Sequence, residues 1–487
     1  MIFAAGGVLA YFFLGVVGIV AGRGRLGGAL AILAGLVSLG LWAPGFPEGL
    51  LGDPPWGIPL VGDRLALAFW CLIPLVHAAV WWHERRRPSA FHGLVTLLVG
   101  TCLATVLSRD LFNLYVVLEL GSLLSFLLIG YDARSRAVWA SLQYLILATV
   151  GMVLYLFGVG LVYGTLGTLS LSRIAEISPD FSQPSLAVGV GLLVTGAAVK
   201  AGVFPLGLWL PTAHGQAPTG VSTLLSGLIV KMSILALARL AQDLPVGPIV
   251  VALGVLTGFG GLLYALWETD IKAFLAYHTM SQMGYSLIGI GLGGPALFAG
   301  ILFAVAHCLF KGLLFQAAGE GVEAVGERDV PALAGRLPRP AAWGLALGTW
   351  TIVGLPPLAS FVAKEYLGQG IPPAHSWVLV LFAVGTAASF SKLIPLFRAG
   401  SKGDGWGGVG LLAAGLIGFS VWGLMELPAL WAADVWAKAV GAVVLGYGMY
   451  LLLRRVRPRL PAVTMDRVSV AILIGAVVIP LAMLLRP

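Results

Sequence analysis

Long apolar runs separated by short polar connections recur along the whole chain. Each run has about 17–25 residues, the length with which a helix crosses roughly 30 Å of hydrocarbon. The runs lack the two-residue alternation of barrel strands, so helices are the structure that satisfies their backbone groups inside a membrane. The pattern predicts an all-α polytopic membrane protein with about 14–16 transmembrane helices. Our count of sixteen spans places them at residues 2–21, 28–43, 65–82, 91–108, 111–130, 137–163, 186–209, 219–240, 246–267, 272–292, 297–317, 342–367, 375–397, 408–427, 436–453 and 469–485.

The composition supports this interpretation. Of the 487 residues, 59% are hydrophobic and only 10% are charged, whereas a soluble domain carries about a quarter charged residues. The alternative, a large soluble protein with a very large core, does not explain the regular recurrence of the runs. No cleaved signal peptide is expected, because the first run has no basic segment before it and further spans follow at once. The connection at residues 164–185 is expected to hold a tight turn region with a small hairpin.

Basic residues mark one side of the predicted bundle. Loops are numbered here from the first span. Odd-numbered loops hold eighteen basic residues, namely Arg23, Arg25, Arg85, Arg86, Arg87, Arg134, Arg136, Lys272, Arg328, Arg336, Arg339, Arg398, Lys402, Arg454, Arg455, Arg457, Arg459 and Arg467. Even-numbered loops hold five, namely Arg64, Arg109, Arg173, Arg239 and Lys438. The positive-inside rule then predicts cytoplasmic odd loops and two external termini. The net charge of +8 is scattered over short loops, so it does not indicate nucleic-acid binding.

The two basic residue types are distributed differently. All twenty-one arginines fall in loops or at span ends, whereas five of the eight lysines fall within spans. These are Lys200, Lys231, Lys311, Lys364 and Lys392. Arginine does not give up its proton in a protein, whereas a buried lysine readily does. The distribution favours a path that passes protons over a scaffold of fixed charge. Snorkelling of some of these lysines to the membrane surface is the alternative, above all for Lys392 and Lys364.

Acidic partners are scarce among the first eleven spans. Glu119 is the only carboxylate deep inside one of them, with apolar residues on both sides. A buried carboxylate is stable only when it is paired or protonated. We therefore expect an ion pair between Glu119 and Lys200, which either changes with proton loading or only fixes helix packing. Glu365 directly follows Lys364, and neighbours on a helix point about 100° apart, so the two need not face the same path.

Histidines supply further candidate relay groups. His307 lies four residues before Lys311, so both share one helix face. Histidine has the unperturbed pKa closest to physiological pH, which makes this face a candidate relay segment; a structural histidine is the alternative. His214, in the corner after Pro211, is a candidate relay or turn-capping group. His278, near a span start, receives no role.

Two spans contain helix breakers close to lysines. Phe204-Pro205 follows Lys200, and Gly354-Leu355-Pro356-Pro357 precedes Lys364. Proline removes a backbone donor and interrupts the helical ladder. Interrupted spans at corresponding places in two halves of a chain point to a transporter built from inverted repeats. The breaks fall in spans 7 and 12; simple proline kinks are the alternative.

Other chemistry is not indicated by the sequence. The cysteines Cys71, Cys102 and Cys308 are isolated in apolar runs, which excludes an iron–sulfur, zinc or disulfide pattern. Two GxGxxG patterns occur outside any strand–turn–helix unit, so neither predicts a nucleotide site. We assign no catalytic residue, no cofactor and no metal, and any electron transfer would take place in another chain.

Five segments carry a family resemblance. They are RDLFNLYVVLELGSLLSFLLIGY, VKAGVFPLGLWLPTAHGQAPTGVSTLLSGLIVK, ETDIKAFLAYHTMSQMGY, AHCLFKGLLFQAAG and GLPPLASFVAKE. Over about residues 91–398 the chain resembles the antiporter-like subunits of the complex I superfamily. That superfamily includes the large membrane subunits of complex I (NADH:quinone oxidoreductase), the D-type subunit of Mrp cation/proton antiporters, and membrane subunits of energy-converting hydrogenases.

The resemblance implies an architecture and a set of functional residues. It implies two inverted five-helix units, at 91–240 (spans 4–8) and 246–398 (spans 9–13), after N-terminal helices at 1–90 and before C-terminal helices at 399–487. It implies a proton path through a span-5 glutamate, lysines on spans 7, 8 and 12, and a span-11 histidine. These match Glu119, Lys200, Lys231, Lys364 and His307.

The chain also departs from the family pattern. Gln143 stands where many relatives have a lysine, His278 replaces a small hydroxyl residue, and two spans extend beyond the usual fourteen. No long lateral helix follows, so the chain does not resemble the largest, arm-bearing type.

We expect a proton-translocating subunit of a multisubunit complex in a prokaryotic plasma membrane. Its path would use Glu119, Lys200, Lys231, His307, Lys311 and Lys364, with His214, Lys392 and Glu365 as secondary relay candidates. The partners would be sister membrane subunits, lipid, H⁺ and in one branch Na⁺. The driving reaction would be cation exchange or redox chemistry in sister subunits. An independent ion transporter and an inert membrane scaffold are the alternatives.

Overall fold

The computed structural model describes residues 1–41, 46–52, 57–177, 179–373, 376–403, 405–456, 458 and 460–485. The chain is an all-α polytopic membrane protein, as the hydrophobic pattern predicts. Within the described residues, 13 helices are long and apolar enough to cross a membrane. Spans 7 and 12, which are interrupted, and span 10, which has a polar face, bring the number to the predicted sixteen. Residues 42, 43 and 375 at predicted span ends, and Arg457 and Arg459 of the odd loops, lie outside the described residues.

The N-terminal part contains three spans and a small sheet. Helices α1 and α2 form spans 1 and 2, an antiparallel hairpin follows, and α3 and α4 together form span 3. Their bounds are α1 Ile2–Val20, α2 Gly24–Leu41, β1 Phe46–Leu51, β2 Ile58–Gly62, α3 Arg64–Trp70 and α4 Ile73–His83.

The next five spans contain the first interrupted helix. Span 7 consists of α9 and α10 with a non-helical connection between them, and span 8 contains a π-helical turn. The bounds are α5 Ser89–Leu107, α6 Leu111–Ile129, α7 Ser135–Leu166, α8 Leu171–Ile177, α9 Pro184–Lys200, α10 Leu210–Gln216, α11 Thr219–Leu224, the π segment Leu225–Ile229 and α12 Val230–Asp243. The prediction of a hairpin at 164–185 is wrong. That connection holds α8, because Leu171 and Ile174 are buried on one helical face.

The following five spans repeat the interruption. Span 12 is divided into α17 and α18 at Gly354, which has a positive φ of 89° that favours glycine. The bounds are α13 Gly247–Trp267, α14 Ile271–Leu292, α15 Gly294–Val325, α16 Val330–Leu333, α17 Arg339–Val353, α18 Ala359–Gly370, α19 Ser376–Phe390 and a 3₁₀ segment Ser391–Phe397. The predicted breaks are therefore present in both spans. The division into two inverted units at 91–240 and 246–398 stays a prediction.

Three spans complete the chain. They are α20 Trp406–Glu426, α21 Ala433–Leu453 and α22 Met465–Leu484, with a 3₁₀ turn Pro428–Trp431 before α21. Helix α22 packs so closely on α9 that a side chain at Gly191 would collide with the backbone of Pro480. Spans 8 and 11 lie at the centre, with almost every residue buried, whereas α21 is almost wholly exposed along its length. The core therefore surrounds the two central spans that carry Lys231 and Lys311.

Contacts between loops support the predicted alternation of the spans. The even loops meet one another through pairs such as Arg109–Asp243, Arg239–Asp63 and Ser172–Glu48. The odd loops meet through pairs such as Arg87–Asp132 and Arg328–Asp270. Each set of loops thus shares one face of the bundle, hereafter the even face and the odd face. A missed span would have mixed the two sets.

Short polar caps start three of the spans. The carboxylates of Asp63, Asp110 and Asp270 accept hydrogen bonds of 2.7–3.0 Å from backbone N–H groups in the first turns of α3, α6 and α14. These N–H groups have no partner inside their own helix, so each cap satisfies donors at the membrane edge. Interior carbonyl and N–H groups freed by the two breaks need partners of another kind, and the buried lysines supply some of them.

Candidate functional site

The interruption of span 7 places Lys200 at the last residue of α9. Its chain turns at Gly202, where φ is 71°, and the buried Lys200 Nζ donates a hydrogen bond of 3.0 Å to the carbonyl of Leu118. Glu119, the next residue of α6, accepts a bond of 3.3 Å from the Thr149 hydroxyl. Its second carboxylate oxygen is buried without a partner in the described protein.

Glu119 and Lys200 are neighbours without being a salt bridge. Their charges interact, but the direct ion pair that the sequence suggested is not among the contacts of these two side chains. The Lys200 ammonium group donates to the backbone of α6 instead. A charged Lys200 is thus stabilised by Glu119 across a gap, and both groups keep capacity for another hydrogen-bond partner.

Lys231 is the second residue after the π segment of span 8. The π turn displaces the helical hydrogen-bond ladder, and Lys231 Nζ donates to the carbonyl of Ser226. The Ser226 hydroxyl in turn pairs with that of Thr279 on α14, at 2.8 Å. π-Helical turns are rare and often occur at functional sites. The fully buried Lys231 ammonium group is therefore held by a locally distorted backbone at the centre of the protein.

His307 and Lys311 share one face of α15, as their spacing predicts. Both are fully buried, and Lys311 Nζ donates a bond of 2.7 Å to the carbonyl of Leu275. Neither ring nitrogen of His307 has a partner in the described protein. His307 interacts electrostatically with both Lys231 and Lys311. Spans 8 and 11 thus bring two lysines and one imidazole together where no carboxylate among the described residues pairs with them.

His278, which the sequence left without a role, packs against Phe274 and Phe390. It is fully buried on α14, and its Nε2 pairs with the Ser389 hydroxyl of α19 at 2.6 Å. It interacts electrostatically with Lys311, Lys392 and Lys364. His278 thus adds a buried imidazole near three of the lysines.

A signal for His278 was present in the sequence. His278, Gln282 and Ser286 recur at intervals of four residues, which places them on one helical face. All three are fully buried. A polar stripe inside an apolar protein indicates a lined path more strongly than the position of any one histidine does.

The break in span 12 places Lys364 differently, in the helix that follows the break. Its Nζ donates a bond of 3.0 Å to the carbonyl of Ile352 near the end of α17, and lies 5.3 Å from the centre of the Tyr285 ring. Glu365 interacts electrostatically with Lys364 and with the exposed pair Asp434–Lys438. As the helical angle suggests, Glu365 faces α21 more than the central axis.

The remaining two candidates differ from each other. His214 is fully buried, stacks on Phe315 at 4.4 Å between ring centres, and has no hydrogen-bond partner for either ring nitrogen in the described protein. Its charge interacts with those of Lys231 and Lys311.

Lys392, by contrast, closes a helix end. Its Nζ donates three hydrogen bonds to carbonyls at the C-terminus of α13, at 2.8, 3.1 and 2.8 Å from Ala265, Leu266 and Glu268. It also lies 4.5 Å from the centre of the Phe274 ring. All three of its ammonium hydrogens can be used in this cap, and the side chain does not extend freely to solvent.

The candidate residues form two groups. Glu119 and Lys200 form the first, and the second consists of His214, Lys231, His278, His307, Lys311 and Lys364. Among the described residues no hydrogen bond between these side chains joins Lys200 to Lys231. Within each group the lysines donate to neutral carbonyls, and most imidazole nitrogens have no partner among the described residues.

Comparison with known proteins identifies the region that contains these residues. Residues 108–390 match the family described as NADH:quinone oxidoreductase/Mrp antiporter, transmembrane. The chain is 32% identical over 418 residues to the N-type subunit of the NADH-quinone oxidoreductase of Desulforudis audaxviator, covering 81% of this chain and 82% of that protein. It is 29% identical to the D-type subunit of the Na⁺/H⁺ antiporter of Alkalihalophilus pseudofirmus, covering 70% of this chain and 72% of that protein.

Solved structures share the fold. A protein of the Mrp complex from Dietzia sp. superposes with a TM-score of 0.81 at 24% identity, covering 97% of this chain and 59% of that one. A protein of the archaeal membrane-bound sulfane sulfur reductase superposes with a TM-score of 0.78 at 24% identity, covering 92% of this chain and 98% of that one. Both structures are membrane complexes.

Proposed function

Because the chain belongs to the NADH:quinone oxidoreductase/Mrp antiporter transmembrane family, we propose that it is the proton-translocating subunit of a multisubunit membrane complex. Its relatives include subunits named for quinone oxidoreductases and for Na⁺/H⁺ antiporters. The driving reaction is therefore either redox chemistry in sister subunits or counter-movement of a cation such as Na⁺. No electron-carrying group is assigned to this chain.

One observation carries the proposal. Each of the five lysines within spans donates to backbone carbonyls, and none forms a salt bridge among the described residues. A carboxylate in direct contact would favour the charged form of the lysine, because an opposite charge makes loss of the proton more costly. A carbonyl accepts a hydrogen bond from either the ammonium or the neutral amine. These lysines can therefore change protonation state without losing their partner.

The proposed path follows the two groups of residues. Protons move between Glu119 and Lys200 in the first group, and through Lys231, His307, Lys311, His278 and Lys364 in the second group. Water completes the step between Lys200 and Lys231. His214 belongs to the second group but is not needed for the path. Glu365 faces α21 and not the path, and Lys392 stabilises the end of α13.

We also propose an orientation in the membrane and a set of neighbours for the protein. Odd loops face the cytoplasm and both termini face outward, as the excess of basic residues in odd loops indicates. The protein lies in a prokaryotic plasma membrane with sister subunits against its exposed helices and lipid around the rest.

Two experiments separate the proposal from its alternatives. Gentle detergent purification is expected to yield a stable assembly with several small membrane subunits, whereas an isolated active chain would indicate an independent transporter. Glu119→Ala is expected to abolish coupled proton transport in vesicles while the complex still assembles. Unchanged coupled transport in that variant would identify the chain as an inert scaffold.

A further inference from the structure

A second set of buried polar side chains lies in the N-terminal helices, outside the stretch matched by the family. Tyr11 on α1, His77 on α4 and His92 on α5 are each no more than 1% exposed. The Tyr11 hydroxyl, both ring nitrogens of His77 and Nε2 of His92 have no hydrogen-bond partner in the described protein. Buried polar groups are normally paired with protein or with ordered water.

These groups lie together within one small bundle. The Tyr11 and His77 rings are 5.6 Å apart, and the charges of His77 and His92 interact. A neutral imidazole has one donor and one acceptor nitrogen, and the charged form has two donors. His77 therefore needs at least one partner that the surrounding side chains do not supply, and water is the small molecule that serves as both donor and acceptor.

The three residues lie at increasing depths in the membrane, measured from the odd face. Along the helix axes, His92 lies about 5 Å from the start of α5, His77 about 10 Å from Glu84 after the end of α4, and Tyr11 about 14 Å from the end of α1. Glu84, itself only 6% exposed, follows the end of α4 at this face. The Glu84 carboxylate accepts a hydrogen bond of 2.7 Å from the Gly220 N–H and one of 3.0 Å from Arg87.

The membrane-interior end of this set of residues lies near the π segment of span 8, which precedes Lys231. Val76, which precedes His77, lies beside Gly227 in the π segment, 3.7 Å from where a Cβ on that glycine would be. The same position lies 3.6 Å from the carbonyl of Cys308, the neighbour of His307. The side chain of Val76 is thus part of the wall that separates the histidines from the π turn that holds Lys231.

From this arrangement we infer that Tyr11, His77 and His92 line a water-filled half-channel that opens at the odd face beside Glu84 and delivers protons towards Lys231. The delivery step rests on the proposed function, whereas the presence of water does not. Imidazole accepts a proton at one nitrogen and releases one from the other, so the two histidines pass a proton inward without net change.

Accessibility to a thiol reagent tests the half-channel in the assembled complex. With Cys71, Cys102 and Cys308 replaced by serine, His77→Cys is compared with Val76→Cys, which is equally buried at the same depth but packs against the π segment. A small, charged, water-soluble methanethiosulfonate is added at the odd face. Cysteine at position 77 is expected to react at least about tenfold faster, because buried thiols without water access are inert. Equal, slow reaction at both positions overturns the inference.

A labelling test of the unchanged chain covers the case in which these variants fail to assemble. Diethyl pyrocarbonate modifies imidazoles that water can reach, and peptide mass spectrometry reads the modified positions. Modification of His77 supports the half-channel. Complete protection of His77 while the partly exposed His83 is modified overturns it.

Transport measurements test delivery separately. His77→Phe is expected to slow proton movement several-fold, while Leu75→Met, a change of similar volume on the same helix that packs near Gly415 of α20, retains it. Unchanged transport in His77→Phe overturns delivery through this route and leaves the proposed function intact. If the unmodified complex moves no protons at all, the proposed function fails, and the labelling results still decide whether the half-channel exists.

Discussion

Replacing Lys392 with methionine separates a structural lysine from a proton-carrying one. The substitution keeps the apolar stem and removes the ammonium group that binds the three carbonyls at the end of α13. Hydrogen bonds from a charged donor contribute about 1.5–3 kcal/mol each. Charge at a helix C-terminus adds about 0.3–1 kcal/mol. Burial of the ammonium group offsets part of this sum, so we expect a net loss of about 2–4 kcal/mol.

The loss of stability in Lys392→Met is expected to change both the melting temperature of the complex and the local hydrogen exchange at the end of α13. For a chain of this length the melting temperature of the complex falls by about 2–4 °C, if the chain unfolds as one cooperative unit. Amide hydrogen exchange over residues 262–268 is expected to accelerate, because the last turn of α13 opens more often. The coupling ratio of transport stays unchanged, since the ammonium hydrogens are occupied in the cap.

The matched control is Lys402→Met, at an exposed lysine near the same face. That variant is expected to change neither stability nor exchange. Normal stability combined with lost transport in Lys392→Met would refute the cap and return Lys392 to the relay.

Three shorter predictions follow from other parts of the fold. Burial alone would raise the pKa of Asp63, but the hydrogen bonds and charge of Arg239 lower it below 3.8; its contribution to stability is therefore complete above about pH 4 and lost as the pH falls through the lowered pKa. Thermal unfolding between about pH 3 and pH 5 checks this, and Asp63→Asn removes the acid-dependent part. His278→Ala is expected to slow proton uptake by vesicles at least about tenfold, and an unchanged rate would remove it from the path. Gly158→Ala is expected to destabilise the protein by about 1–3 kcal/mol, because its Cβ would lie 2.6 Å from a backbone oxygen of α9. Gly160→Ala, with nothing within 4 Å of its Cβ, is the control for a thermal unfolding assay.

The sequence was informative where one residue type decides the local structure. Apolar runs predicted the spans, because a membrane leaves the backbone few other solutions. Proline near Lys200 and near Lys364 predicted both breaks, because proline cannot continue the hydrogen-bond ladder. The presence of lysine rather than arginine within spans singled out five lysines, all of which donate to backbone carbonyls in the structure; their role in a proton path stays a prediction.

Features that depend on packing between distant segments could not be predicted from the sequence. The π turn before Lys231 has no residue signature, because a one-residue shift of the ladder depends on neighbouring helices. The expected Glu119–Lys200 contact failed because a carbonyl of the same helix lies nearer to the lysine than the carboxylate does. The role of Lys392 as a cap depends on where α13 ends beside it, which spacing along the chain does not reveal.

The most direct test of the central claim compares Lys200→Ala with Lys200→Arg in inverted vesicles that contain the assembled complex. Proton pumping or cation/proton exchange is the quantity measured, and subunit composition confirms assembly. Arginine keeps the charge but does not release its proton, so the account predicts that both variants abolish transport. Transport by the arginine variant at the rate of the unmodified protein would show that fixed charge is sufficient, which would contradict a titrating lysine at this position.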